Sequence, residues 1–526
     1  MQKNKRSIIN LISCLVSFVI SLGISFLLTP YITNKLGTEA YGFVSLANNF
    51  VSYAAIATLA INSMASRFVS ISYHKTKYEE ANQYFNSVLF CNFLLILFLL
   101  IPSIFVVIFL QNIVVISSEL IFFVKILFAL VFINFFFGLI NTTFSIATFI
   151  KNRIDLSNLR TMESNLIKAL LMILLFYLFG ANIIFVGIAT LCSTIYLLVF
   201  NIFYTIKLIP EIKIKKSFFQ LRKVITIFMS GIWNTVTKLG QVLSDGLDLL
   251  VSNWFVSPFA MGQLAISKTF STCISTLTAN LSYVFQPNMT YYYALNETEK
   301  EINEIKFSMK ITAFFTNVLL AGIIVFGISL FKLWIPNQNI KIIYLTTLVT
   351  IIGTVVGSTI NTLFNVFTIT NKLKVNSLVT LGQGLLNIII VFVLLKLNVA
   401  PGYEIVIISG VSVFTSILKN LTFTPMFSAK CLKVKITTFY STIFLGILSA
   451  ISLILVFFII SKQFVVNSWF ELIIVSAICG FIGMIINYFI LFNKDQRDEV
   501  LNIFKKFMSN KLKLNFILGG INDKNK

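Results

Sequence analysis

Charge is scarce in this 526-residue sequence: Asp, Glu, Lys and Arg together make up 11% of it. A soluble globular chain carries about 25%. Acids are scarcer still, 19 against 41 Lys and Arg, and His74 is the one histidine. That shortage excludes a cytosolic enzyme, a disordered chain and a coiled coil. Cysteine is sparse as well. Cys14, Cys91, Cys192, Cys273, Cys431 and Cys479 each stand alone, without metal-ligand or redox spacing, and read as small apolar residues. His74 sits in a polar stretch and reads as a surface residue. The sequence has no G-x-x-x-x-G-K-[ST] phosphate loop, no loop long enough for a catalytic domain and no nucleophile–base set. No enzyme activity, cofactor or metal is therefore expected.

What is abundant is hydrocarbon: 57% of the residues are hydrophobic, 55 of them Phe. That is enough for about 14 spans of ~20 residues. The runs are continuous, without the period-2 alternation of a barrel strand, so the expected fold is an all-α polytopic membrane protein. The first run continues past position 25 with no small-residue cleavage motif, so no cleavable signal is expected. Fourteen spans are read at about 8–32, 41–72, 84–110, 119–150, 159–180, 182–206, 223–255, 258–290, 306–333, 341–370, 375–397, 402–425, 438–461 and 467–492.

The connections alternate in charge. One set, including both termini, holds 31 of the 41 Lys and Arg, whereas the other holds only Lys35, Lys332, Lys341, Lys396 and Lys462. The positive-inside rule then puts both termini in the cytoplasm, with anionic lipid rather than nucleic acid as the partner of the charge. After Asp498, apolar residues recur at helical spacing among lysines, which suggests a tail helix on the inner leaflet. Trp334 and Trp469 fall at span ends, as an interfacial belt does.

Shifting the chain by 220 positions lays Gly42–Phe50 over Gly262–Phe270 and Asn141-Thr-Thr-Phe144 over Asn361-Thr-Leu-Phe364. Spans 1–6 and 7–12 are thus two parallel copies of a six-helix unit, a transporter architecture with its path between the halves. The expected division is 1–215, the N-lobe; 216–430, the C-lobe; 431–493, two additional spans; and 494–526, a basic cytoplasmic tail.

Ionisable residues inside a bilayer are candidate sites by default. Lys238 and Asp245, seven residues apart, and Asp248 one turn further fall on nearly one face of span 7. The repeat puts Phe18, Ser25 and Leu28 at the matching positions, so these charges belong to one half. The carboxylates can bind a coupling cation or proton, or exchange partners with Lys238; alternatively the cluster fixes helix packing. Lys268 and Arg67, on the second helix of each unit, can hold an anionic head group, although Arg67 can also snorkel to the interface. Lys125, Lys168 and Lys419 read as snorkelling lysines.

The stretch Leu28-Thr-Pro-Tyr-Ile-Thr-Asn-Lys-Leu-Gly-Thr-Glu-Ala-Tyr-Gly42, followed by Asn62-Ser-Met-Ala-Ser-Arg67, resembles the Wzx-type polysaccharide-biosynthesis flippases. These belong to the multidrug/oligosaccharidyl-lipid/polysaccharide exporter superfamily. The resemblance implies two six-helix lobes in a V around a cationic cavity, for which Arg67, Lys268 and Lys238 are the candidates. It implies an undecaprenyl-diphosphate-linked oligosaccharide as substrate, moved from the cytoplasmic to the outer leaflet of a bacterial plasma membrane. Glycan polymerase or glycosyltransferases are the implied protein partners. Alternating access would be biased by protonation or cation binding at Asp245 and Asp248. Two relatives compete: lipid II flippases, which carry a cavity arginine in the first span where residues 8–32 here have no charge, and cation-coupled multidrug exporters.

Overall fold

The computed structural model describes residues 2–464, 466–494 and 496–498, and among them there is no strand. The tail helix expected after Asp498 lies outside the described residues. The first half consists of α1 (Gln2–Leu36), α2 (Thr38–His74), α3 (Tyr78–Ile108), α4 (Ile121–Ile150), α5 (Ile154–Phe179) and α6 (Ile183–Leu208). The second half begins with α7 (Leu221–Gln241) and α8 (Asp248–Phe255), two pieces of one interrupted helix. It continues with α9 (Pro258–Ala294), α10 (Thr298–Trp334), α11 (Ile340–Ile360), α12 (Leu373–Lys396) and α13 (Glu404–Cys431). Two more helices, α14 (Ile436–Ser461) and α15 (Trp469–Leu491), close the described chain.

Twelve of these segments are long and apolar enough to cross a membrane. The interrupted α7–α8 segment falls short because it carries charge, and α9 because it is rich in Ser, Thr and Asn. Apolarity alone therefore does not confirm the count of fourteen, and the two helices in question are the ones that carry polar chemistry.

The 220-residue repeat is visible in the backbone. α2 and α9 start and stop 220 residues apart, and α3 and α10 start 220 residues apart. The turns after α2 and α9 both use a left-handed residue, Thr76 at φ 58° and Asn296 at φ 56°.

Lipid gives helices no hydrophobic reason to associate, so close packing and polar contacts must hold them. At the end away from the basic loops, the equivalent glycines Gly42 and Gly262 meet across α2 and α9. A Cβ on Gly42 would lie 2.9 Å from the Gly262 Cα, and one on Gly262 would lie 2.2 Å from the Thr38 carbonyl. At the basic end α7 leans onto α2 instead: a Cβ on Gly231 would lie 1.9 Å from the Ala60 carbonyl. Asn234 donates to Ser63 Oγ beside that contact, at 3.1 Å.

The connection between the halves is fastened to α3. Asn82 donates to the Glu211 carbonyl at 2.9 Å and accepts from the Lys213 N–H at 2.6 Å. Asn86 repeats the pattern on Lys213 and Lys215, at 2.8 and 2.9 Å. The match is geometric: four helical residues rise about 6 Å, close to the ~6.6 Å of two extended residues. α14 and α15 join α10 through buried amides. Asn317 donates to the Gly446 carbonyl at 2.8 Å and Asn487 to the Phe314 carbonyl at 2.9 Å.

Candidate functional site

A break in a membrane helix strands backbone carbonyls, and each must find a donor. Between α7 and α8, Val242–Gly246 form a single π turn. Such a turn inserts an extra residue and shifts the hydrogen-bond register. The donors arrive from three other helices. From α2, Asn49 Nδ2 and the Tyr53 hydroxyl both donate to the Gly246 carbonyl, at 3.0 and 2.7 Å. From α12, Asn387 Nδ2 donates to the Ser244 carbonyl at 2.6 Å, and Gln383 Nε2 to Ser244 Oγ at 3.1 Å. From α9, Lys268 Nζ donates to the Asp245 carbonyl at 2.9 Å.

The same ammonium makes the deepest ion pair of the described residues. Lys268 Nζ lies 2.5 Å from Asp248 Oδ2, and the Asp248 residue is 3% exposed. Ser412 Oγ donates to the other carboxylate oxygen at 3.1 Å. One cation therefore bridges a carbonyl of the broken turn and a carboxylate at the start of α8. Broken helices in transporters use similar elements to hold coupling ions.

The expected single face of Lys238, Asp245 and Asp248 does not survive. The π turn lies between Lys238 and Asp248, and one inserted residue rotates everything after it by about 100°. Asp248 turns inward to Lys268, the Asp245 side chain is exposed, and Lys238 forms no ion pair among the described residues. Arg67 lies elsewhere, in a cavity at the basic end. The structure thus brings together Lys268, Asp248 and the Asp245 backbone, and leaves Lys238 and Arg67 apart.

The three lysines read as snorkelling differ in their surroundings. Lys168 stands in the middle of α5, half-buried and with no ion pair among the described residues. Lys419 turns inward to donate to Thr380 Oγ1 at 3.0 Å. Lys125 does reach a helix end, donating to the Ile108 carbonyl at 2.9 Å. Nor is Trp334 part of an exposed belt. Pro30 has no N–H to offer the Phe26 carbonyl, and Trp334 Nε1 donates to that oxygen instead, at 2.7 Å.

The polar face of α9 extends from Lys268 toward the basic end. Thr272, Ser275, Thr276 and Tyr283 are exposed and share the Lys268 side of the helix. Nearer the opposite end, that side carries Ala265, which packs in the core shared with α2. The hydroxyl-bearing stripe therefore faces the space between the halves. Sequence reasoning missed Asn49, Tyr53, Gln383, Asn387 and Ser412. The available signal was an amide in the middle of an apolar run, where it needs a partner.

Residues 7–291 match the model of a family described as polysaccharide biosynthesis protein. An uncharacterized membrane protein EpsK of Bacillus subtilis (strain 168) is 27% identical over 512 residues, covering 95% of this chain and 98% of that protein. Among solved structures, the lipid II flippase MurJ in an inward closed conformation is similar with a TM-score of 0.62. It is 18% identical, with 90% of this chain and 97% of that chain covered. An inward-facing multidrug resistance MATE family transporter of the MOP superfamily gives 0.60 at 15% identity, over 81% of this chain and 99% of that one.

Proposed function

The chain belongs to the polysaccharide biosynthesis protein family, and we propose that it is a Wzx-type flippase of the MOP superfamily for an undecaprenyl-diphosphate-linked oligosaccharide. It carries the glycan from the cytoplasmic to the outer leaflet of a bacterial plasma membrane by alternating access, supplying cell-surface polysaccharide synthesis. In this reading all fourteen segments cross the bilayer, residues 1–215 and 216–430 act as the two lobes, and both termini are cytoplasmic. Anionic lipids surround the basic rim, and the glycan polymerase or glycosyltransferases act upstream or downstream of the same substrate.

The observation that carries the reading is the Lys268 ammonium, shared between Asp248 and the broken turn. A diphosphate entering between the lobes offers Lys268 a stronger partner than one carboxylate. As Lys268 moves to the phosphate, the π turn loses a donor and Asp248 is left buried beside Ser412. Asp248 then takes up a proton or a cation, because an unpaired buried charge costs several kcal/mol. The hydroxyls of Thr272, Ser275 and Thr276 offer hydrogen bonds to sugar in the same space. Lys238 precedes the turn, Asp245 lies within it, and both add to its field.

The test is export in cells carrying Lys268→Gln or Asp248→Asn. Both proteins should insert normally, and the lipid-linked glycan should accumulate on the inner leaflet. Normal export by both stable variants removes the site assignment. The buried carboxylate in a broken helix also suits a cation-coupled multidrug exporter. New drug sensitivity without glycan accumulation in a deletion strain would establish that reading instead.

A further inference from the structure

The segment between α3 and α4, residues 109–120, bridges the two halves at the end away from the basic loops. Its attachments lie on opposite sides of the seam. On its own half, Glu39 in the first turn of α2 accepts from the Ser117 N–H at 3.2 Å and from the Ser117 hydroxyl at 2.6 Å. On the other half, Asn253 of α8 engages both backbone groups of Val115. Asn253 Oδ1 accepts from the Val115 N–H at 2.9 Å, and Nδ2 donates to the Val115 carbonyl at 3.0 Å. Trp254 Nε1 adds a bond to the Ile113 carbonyl at 2.6 Å.

Each grip follows from the groups that meet. A primary amide carries the donor and acceptor of a peptide group, so Asn253 closes on Val115 as one residue of an antiparallel pair closes on the other. Asn253 is 1% exposed, whereas Val115 is 53% exposed. On release the loop backbone regains water, but the amide is stranded until water enters the seam, which favours the closed contact. Glu39 stands where a helix N-terminus favours a carboxylate, and this fixes the other anchor.

The fold itself does not require the amide. The 220-residue repeat puts Thr33 of α1 at the place of Asn253, and Thr33 turns back to the Thr29 carbonyl of its own helix at 2.6 Å. Asn34, at the place of Trp254, is exposed. The equivalent connection of the second half reaches across the seam with other side chains: Trp334 to the Phe26 carbonyl, and Gln338, which accepts from Thr38 Oγ1 at 2.5 Å. We propose that residues 113–117 are a strap that holds the outer end shut, fastened to α2 by Glu39 and to α8 by Asn253 and Trp254, and that its release sets how often this end opens. The proposal rests on the alternating access of the flippase reading and holds for any cargo.

The experiment uses the full-length protein in detergent micelles, its native cysteines replaced by alanine. Spin labels go on Ala181→Cys and Val399→Cys, exposed positions in the α5–α6 and α12–α13 turns at the same end, and double electron–electron resonance reads the distance between them. Asn253→Leu with Trp254→Phe keeps the apolar bulk and removes the bonds. The ratio of long to short distances should rise about tenfold. Glu39→Ala should raise it too, although Glu39 bonds within its own half, because a strap fails at either end. Unchanged distributions in both variants overturn the proposal. A rise in one variant and none in the other overturns it as well, since the contact is then local packing. Melting curves check that both variants fold; if the α8 variant does not, Glu39→Ala decides alone. Unmoved distances with export still blocked by Lys268→Gln remove the strap and leave the flippase reading standing. A deletion strain without inner-leaflet glycan removes the flippase reading, and the distances still decide the strap.

Discussion

The first helix of each half is interrupted at the same place in two different ways. By the 220-residue repeat, Phe26 of α1 corresponds to Gly246 before α8, and in both the backbone carbonyl is freed from its helix. Each freed oxygen is taken by the other half: Phe26 by Trp334 of α10, Gly246 by Asn49 and Tyr53 of α2. The difference lies in the cause. At Phe26 the missing N–H is covalent, because Pro30 never has one, and a single neutral indole fills the gap. Next to Gly246 the break is a π turn that needs several donors, one of them the ammonium that also neutralises Asp248. A proline break persists in every state of the molecule, whereas a turn held by an ion pair can change when its partner changes. The repeat has kept the joint in both helices and made only one of them responsive.

The sharpest way to break that contrast is at the pair itself. Removing the carboxylate with Asp248→Leu strands Lys268 and should cost about 3–5 kcal/mol, by analogy with broken buried pairs. The fall in unfolding midpoint of the purified protein measures this. The double change Asp248→Leu with Lys268→Met should recover much of the stability and none of the export. Recovery of export by the double variant would mean the pair is structural only. The next effect is smaller. Gly231→Ala places a Cβ against the Ala60 carbonyl, and overpacking of this kind costs about 1–3 kcal/mol. Spin labels across α2 and α7 at the basic end should show a longer distance in the variant; an unchanged distribution would refute that role for the glycine.

Much of this was legible from residue spacing. The runs located the helices and the offset of 220 located the repeat, because apolar periodicity and turn residues are local properties. Asp248 and Lys268 were identifiable because a charge in hydrocarbon is expensive wherever it falls. What spacing could not supply was their pairing. A constant 100° per residue puts Lys238 and Asp248 on one face, and a single π turn voids that rule; Gly246 within it is a signal no different from the glycines of unbroken helices. The donors of the turn were invisible for a related reason: Asn49, Tyr53 and Asn387 lie far away in sequence and are joined to it only by packing. Trp334 shows the same limit, since nothing in its neighbourhood reveals a proline 304 residues earlier in the chain.

The static side of the comparison has its own test, with a smaller expected effect. Trp334→Phe keeps the ring stacked on Phe26, 5.1 Å away in the native pair, but removes the donor. The unpaired carbonyl should cost about 1–3 kcal/mol. Adding Pro30→Ala returns an N–H four residues after Phe26, so the double variant should regain stability that the single one lost. If Pro30→Ala does not rescue Trp334→Phe, the indole acts through packing rather than through the freed carbonyl.

The smallest effect belongs to the connection between the halves. Glu211 accepts from the Tyr73 hydroxyl at 2.7 Å. That bond, followed by one from its own N–H and the nearby charge of Lys151, holds its carboxyl below the usual carboxylate range. A depressed folded pKa contributes stability above the unfolded value, near 4.3, and that contribution fades as pH falls through the folded one. Glu211→Gln should therefore lower the unfolding midpoint slightly at pH 7 and converge with the wild type in acid. Asn82 and Asn86 hold the same segment by its backbone and do not titrate, so Asn82→Ala should lower the midpoint equally at both pH values. A parallel pH dependence for the two variants would mean that the connection is held by its backbone alone, with the Glu211 charge contributing nothing.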